Sequence, residues 1–580
     1  MTGRVVAGAC ALLLLAVPAA DAKRKAPRLT AFVSCPQLVR YASAHARSAT
    51  PLPARTPTIA PTAAPQSSPG AENGSQKTVA SDDVSQTNVQ EAGIDEPDVV
   101  KTHGTTLLVV SGTTLYAVDA SSPTPRILGS VPLPGSGDEL LVHGDRALVI
   151  GHEAIRTIGP IPIDGPVAAM PPARVAYQPP RTVLASVDIG DPAHMAVAQT
   201  LTVDGTPVTA RADGRLARVV VSSPPHYVVE PDTIRQVGGW LPTATVSGGP
   251  PRRVVGCGDV YRPPVFSGTG LTSVLTIDID AGATPISSAG VMADARTVYA
   301  SAKSLYVATQ RWDAGASAST TAIHRFALRP DGADYVASGS VPGSLLSQWS
   351  LSERDGVLRV ASTGARDSTV TTLNAGLRPL GSVTGLGVDE RIRGVRFIGD
   401  VGYVVTFRQV DPLYTIDLSD PAAPRVAGEL KLLGYSAYLH PVGDGRLLGI
   451  GQDATDQGRL LGAQASLFDV SDPAAPKLLD RRSLGQNAST DVEFDHHAFT
   501  WWPAARLALL AVSGPDFSGG VGLKVASTTI ADGGRVAAPP TARFSRAVVV
   551  GDRVLFVDPS SGVQSAALDG LGAQGWLALR

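Results

Sequence analysis

Seven stretches of this chain place a Gly-Asp type turn directly before an apolar strand: HGTTLLVVS (103–111), HGDRALVIG (143–151), DGRLARVVVS (213–222), DGVLRVAST (355–363), GDVGYVVTF (399–407), GDGRLLGIG (443–451) and GDRVLFVD (551–558). Glycine and aspartate tolerate the left-handed conformations of tight hairpins, so each stretch marks two antiparallel strands joined closely. A second element recurs behind the first. TIDLSDPAAPRVAGELKL (415–432) and LFDVSDPAAPKLLDRRSL (467–484) are near copies 52 residues apart, with weaker relatives at 115–131 and 185–201. Here a strand ends at an aspartate that can accept local backbone N–H groups, and proline then bars a continued ladder. Another strand follows, so the repeating unit is four strands long.

Four antiparallel strands repeated every 40 to 90 residues, without sustained helical periodicity, predict an all-β chain folded as a single large β-propeller. Units starting near Asp98, Asp138, Pro207, Ala295, Ser350, Arg391, Tyr435, Asp491 and Phe544 give nine candidates. Propellers usually carry four to eight blades, so the expectation is eight, with nine as the alternative. The last unit has room for only three strands before Arg580, and Thr87-Asn88-Val89-Gln90 is assigned to its outer edge to close the ring. The propeller is bounded at 86–580, with Pro-rich insertions at about 151–181 and 221–271 that carry Tyr227, Trp240 and Tyr261.

Ahead of the propeller the composition changes. Residues 1–22 read as a secretory signal peptide: Arg4, an apolar run from Val5 to Val17, and Ala20-Asp21-Ala22. Residues 23–50 hold a short helix with Ser34 as its N-cap, Gln37 as the capping-box partner and Leu38, Val39, Tyr41 and Ala42 on the apolar side. Residues 51–85 are a Pro/Ala/Thr/Ser-rich linker that cannot bury a core. No later run reaches the roughly 18 apolar residues of a membrane span, so the mature chain is expected to be soluble, monomeric, and secreted or periplasmic. Removing the leader leaves Cys35 and Cys257. In an oxidising compartment an even pair suggests one disulfide, with two free buried thiols as the alternative. A net charge of −2 with dispersed Lys and Arg excludes a phosphate-tracking surface, and with it a nucleic-acid partner.

TNVQEAGIDEPDVVKTHGTTLLVV (87–110), SQWSLSERDGVLRVAST (347–363), the long stretch 390–451, SLFDVSDPAAPKLLD (466–480) and DHHAF (495–499) together resemble a family of secreted proteins with a C-terminal β-propeller distantly related to WD repeats. The resemblance runs from about Cys35 to the end. It implies the propeller fold and an exported protein. The family pattern also carries a Ser-Cys ahead of the linker and a Cys-x-x-Val-Tyr-x-Pro segment, matched here by Ser34-Cys35 and by Cys257 to Pro263. That implies the Cys35–Cys257 pairing. It brings no activity with it.

VEFDHHAFTWWP (492–503) is the densest chemistry in the chain. Asp491 opens the eighth unit, so Val492 to Thr500 is expected to be an innermost strand, on which alternate residues share a face. Glu493, Asp495 and His497 then lie on one side, and His496 points away and cannot share a metal ion with His497. Segments entering the innermost strands and loops between second and third strands should gather at one channel mouth. That collects Asp95, Glu96, Asp98, Arg408, Gln409, Asp411, Glu493, Asp495 and His497 as ligand or metal candidates. Asp-x-His supplies two ligands where three or four are normally needed. The absence of His-Glu-x-x-His, Gly-x-Ser-x-Gly and Walker patterns favours a non-enzymatic binding or scaffold module at the cell envelope, with a protein or glycan partner and no cofactor. The alternative is a metal-dependent hydrolase or oxidoreductase with a divalent metal at the mouth.

Overall fold

The computed structural model describes residues 29–48, 83–153, 180–228, 231–263, 266–312, 319–408 and 411–579. The leader, most of the linker and nearly all of the first insertion lie outside these residues. Among the described residues the strands form nine sheets, each containing four antiparallel strands in chain order. Blade 1 runs from Val100 to Pro132, blade 2 from Ser136 to Asp204, blade 3 from Thr206 to Val291 and blade 4 from Thr297 to Pro342. Blade 5 spans Leu351–Leu386, blade 6 Arg391–Leu432, blade 7 Tyr435–Ser483, blade 8 Phe499–Ala537 and blade 9 Arg546–Ala578.

The preferred count of eight is therefore corrected to nine. The ninth blade completes its own four strands because its turns are short: Val550 pairs with Arg553, and Asp558 with Gly562. No outer strand is borrowed from 87–90. Ring closure comes instead from face packing, in which Leu107, Val109 and Val118 of blade 1 share one core with Leu555, Val557 and Val563 of blade 9.

Both repeated sequence elements are visible in this frame. The Gly-Asp pairs make two-residue hairpins, as at His143–Arg146 and Ile398–Val401, with Gly144 at φ 51° and Gly399 at φ 55°. In the Ser-Asp-Pro elements Asp417 Oδ1 accepts from Ser419 N and Oγ, and Asp469 Oδ1 does the same for Ser471. These turns also lock neighbouring blades together. The 473–476 turn lies so close to Gly428 on the previous blade's outer strand that a Cβ there would meet Pro473 O at 2.6 Å, and Thr415 Oγ1 donates to that same oxygen at 2.5 Å.

The second insertion, with Thr30–Ala31 from the N-terminal segment, widens blades 2 and 3 to six strands each. Thr243–Val246 adds to the outer strand of blade 2, and Val260–Arg262 runs parallel to the outer strand of blade 3, with Thr30–Ala31 beyond it. The helix Cys35–Ser48 is capped as its sequence predicts: Gln37 N donates to Ser34 Oγ and Val33 N donates to Gln37 Oε1. Its Leu38 and Ala42 pack with Trp240, Leu241 and Val255 of the insertion, and Cys35 is bonded to Cys257. Trp240 is thus a core residue.

Asp204 anchors this insertion. Its Oδ2 accepts from Thr243 N and Oγ1, both at 2.7 Å, and lies 3.3 Å from His226 Nε2. Burial alone would raise the carboxyl, but His226 and Thr243 overcome it and hold the pKa at about 2. A folded-state pKa below the unfolded value of about 3.9 gives stability that is complete above pH ~4 and is lost as pH falls through ~2. The contribution at neutral pH is on the order of 2 kcal/mol. Urea denaturation of Asp204→Asn should show that loss at pH 7, with the two proteins converging toward pH ~2. Parallel curves at all pH values would contradict it.

Candidate functional site

The segment just before blade 1 runs across the inner strands of the ring. Val84 pairs with Val550 of blade 9, Asp95 with Ala212 of blade 3 and Asp98 with Leu140 of blade 2. Between these points Asn88 donates to Tyr438 Oη and to the His496 carbonyl, Gln90 Nε2 donates to the Leu351 carbonyl, and Glu91 accepts from Tyr299 Oη at 2.6 Å. Residues 84–98 therefore form a plug that touches inner strands or their entry segments from most of the ring.

The plug meets the DHHAF segment at the channel centre. This segment is not a strand. Asp491–Glu493 and His496–Ala498 are consecutive 3-10 turns, and the innermost strand of blade 8 begins only at Phe499. Local side-chain capping causes this: Thr490 Oγ1 accepts from Val492 N, and Asp495 Oδ1 accepts from His497 N at 3.0 Å. At about three residues per turn, neighbouring side chains diverge by roughly 120° and not 180°. His496 and His497 accordingly turn toward one carboxylate, with ring centroids 4.0 Å apart. The expectation that they face opposite ways fails for this reason.

That carboxylate is Glu96, which is 3% exposed. Its Oε2 lies 3.2 Å from His496 Nε2, 3.7 Å from His497 Nε2 and 3.5 Å from Arg211 Nη2. Gln90 N donates to Oε1 at 3.0 Å and Gln348 Nε2 to Oε2 at 3.1 Å. A second knot adjoins it. Arg546 Nε reaches Asp98 Oδ1 and its Nη2 reaches Asp495 Oδ2, each at 2.6 Å, while His497 Nδ1 is 3.5 Å from Asp495 Oδ1. Trp349 closes the far side, edge-on to His496 and with the Arg396 guanidinium 5.0 Å from its ring centroid.

Electrostatics follow from this packing. Burial would raise Glu96, but Arg211 and His496 hold it well below the usual carboxylate range. Burial, assisted by the charge of His497, pushes His496 down to about 4. Burial works in the same direction on His497, yet Asp98, Glu96 and Asp495 outweigh it and the ring's pKa is raised. Half-buried Glu139 of blade 2 is pushed up to about 7, by desolvation first and then by the nearby charges of Asp98 and Asp495.

Two cavities flank the knot. A smaller one, about 330 Å³, lies against Ser85, Asn88, Asp95, Lys101 and Thr500. A larger one, about 1350 Å³, is walled by Glu96, Glu139, Arg211, Gln348 and Asp495. His497 and Arg546 border both. The larger cavity includes the segments that enter the innermost strands of blades 2 to 5, so it is the channel mouth.

Of the residues singled out from sequence, the structure gathers Glu96, Asp98, Asp495 and His497. Asp95 lies beside them but turns to Lys101 Nζ at 2.6 Å. Glu493 goes elsewhere, held by Tyr435 Oη and Gln452 Nε2. Arg408 is exposed after the second strand of blade 6, Asp411 begins that blade's third strand, and Gln409 lies outside the described residues. Strand alternation would turn His496 away from the site, and Arg211, Gln348 and Arg546 are not among the sequence candidates. For His496 and Gln348 a signal existed, since DHHAF and SQWSL both belong to the quoted resemblance; Arg211 and Arg546 carried none.

A family model described as a beta propeller domain matches residues 84–571, beginning at the plug. The chain belongs to this beta propeller family. This propeller is similar to an uncharacterised protein of Archaeoglobus fulgidus, 42% identical over 180 residues that cover 31% of this chain and 28% of the relative. An uncharacterised protein of Methanocaldococcus jannaschii is 44% identical over 173 residues, covering 29% and 27%. The chain thus spans a little over a quarter of the length of these curated relatives. Among solved structures, AztD of Citrobacter koseri aligns at 11% identity over 84% of this chain and 94% of its own, with a TM-score of 0.37. A putative 6-phosphogluconolactonase of Bacteroides fragilis aligns at 13% identity over 55% and 95%, with a TM-score of 0.34.

Proposed function

We propose that this propeller is an extracytoplasmic, non-enzymatic binding module that docks a protein partner across the mouth of blades 5 to 8. The supporting observation is an arc of exposed apolar side chains. Phe494 is 62% exposed, Val388 59%, Leu460 46%, Leu346 40% and Leu433 39%. Four of these sit in segments that enter innermost strands and Leu460 follows the loop between second and third strands, so the topology puts all five on the mouth face. Large apolar groups on loops carried by a rigid frame favour association with a partner that covers them.

The Cys35–Cys257 bond supports an oxidising compartment, and no helix among the described residues is long and apolar enough to cross a membrane. The paired charges of the wall favour binding over turnover, since Asp98 and Asp495 are both engaged by Arg546. A photo-crosslinking amino acid at Val388 in intact cells should capture a discrete envelope protein. The adduct should disappear when Phe494→Asp is added, while the thermal melt is unchanged. Capture that survives Phe494→Asp, or no discrete adduct from any arc position, would rule this reading out.

A further inference from the structure

At the channel centre, independent of any partner at the mouth, three candidate ligand residues converge from parts of the chain 400 residues apart: Glu96, His496 and His497, each offering one ligand atom within 4.8 Å of the others. We propose that Glu96, His496 and His497 form a binding site for a divalent transition metal of the zinc type, with its remaining coordination position facing the mouth cavity.

Three observations support the assignment. The first is spacing. Ligands about 2.0–2.1 Å from a tetrahedral zinc ion stand roughly 3.3 Å from one another, and Glu96 Oε2 lies 3.2 and 3.7 Å from the two imidazole nitrogens. The second is the state of those nitrogens. His496 is 0% and His497 6% exposed, and Nε2 of each makes no hydrogen bond of acceptable geometry despite the nearby carboxylate. Buried polar atoms are nearly always satisfied, so two orphaned donors aimed at one carboxylate oxygen mark a place for a Lewis acid.

The third is the surrounding shell. Imidazole ligands are typically oriented by a carboxylate on their other nitrogen, and Asp495 Oδ1 stands 3.5 Å from His497 Nδ1, fixed in turn by Arg546. Glu96 Oε1 is held by Gln90 N, and Oε2, which also accepts from Gln348 Nε2 at 3.1 Å, faces the rings. Two imidazoles and one carboxylate suit zinc and its borderline neighbours better than calcium or magnesium, which prefer all-oxygen shells. Arg211, 3.5 Å from Glu96 Oε2, competes for the same oxygen. That contact is looser than either of the 2.6 Å contacts Arg546 makes, and it can lengthen as the ion enters.

The test uses the full exported chain, stripped with chelator and confirmed folded by its thermal melt. It is titrated with Zn²⁺ in competition with a chromophoric chelator, then with Co²⁺ to read ligand-field absorption. The expected result is one Zn²⁺ per chain and visible Co²⁺ bands, both abolished in His496→Gln. Asp495→Asn, which can keep the Oδ1 cap on His497 N but removes the charge facing His497 and Arg546, should weaken Zn²⁺ binding about 10- to 100-fold in protein that is still folded by its thermal melt. No stoichiometric Zn²⁺ uptake by the folded wild-type chain would overturn the proposal. So would uptake equal in wild type, His496→Gln and Glu96→Gln. Should His496→Gln fail to fold, the Co²⁺ spectrum of the wild type still decides, because histidine nitrogen and oxygen-only sites absorb differently.

Discussion

Arg546→Ala should destabilise the protein by about 3–5 kcal/mol, the usual cost of removing one partner from a buried ion pair. Arg546 leads the innermost strand of blade 9 and is 10% exposed. Its guanidinium is the common partner of Asp98 on the plug and Asp495 ahead of blade 8, so truncation would leave two carboxylates facing each other with little water to screen them. Arg546→Lys should recover only part of the loss, since an ammonium lacks the planar fork that reaches both carboxylates. Urea denaturation supplies the magnitude. Proteolysis near residues 84–98 supplies the location, because the plug should be released before the blades unfold. A loss under about 1 kcal/mol, the range of surface pairs, would show that the knot is not a structural linchpin.

Breaking the Cys35–Cys257 bond has the second large effect, and it should be local. The bond closes a sequence separation of 222 residues, for which the chain-entropy model gives about 5 kcal/mol, offset by structure remaining in the unfolded state. The helix Cys35–Ser48 has 14 residues, near the length at which an isolated helix is marginal. Without its bond it depends on Leu38, Ala42 and the half-buried Tyr41 against Trp240 and Leu241. Cys35→Ser/Cys257→Ser should therefore expose residues 35–48 to protease and move Trp240 toward water, with a red-shifted fluorescence component, while blades 5 to 9 keep their hydrogen-exchange protection. Equal protease resistance with and without the bond would mean that the apolar contacts suffice.

The site was partly legible for an identifiable reason. Glu96 and Asp98 stand out because they sit in a compact acidic segment just ahead of the first blade, and Asp495 and His497 because acids and histidines are crowded into five residues. His496 was set aside by applying strand alternation to residues that precede the strand. The deciding atoms are Thr490 Oγ1 and Asp495 Oδ1, whose caps bend 490–498 into successive tight turns. Glu493 was misplaced by the same step, and it packs against Tyr435 and Gln452 instead.

Local chemistry was enough for the sequence alone to determine the hairpins at Gly144 and Gly399, the Asp417 and Asp469 turns, the capped helix at Ser34 and the four-stranded repeat, because each depends on residues within a few positions of one another. The number of blades depended on whether the last 35 residues could hold four strands, which only their turns decided. The course of residues 84–98 is set by their contacts with inner strands of several blades, which only the closed ring brings together. The meeting of Glu96 with His496 and His497 follows from both. Sequence proximity brings the two histidines together, but only ring closure carries a glutamate 400 residues upstream to the point where their nitrogens converge.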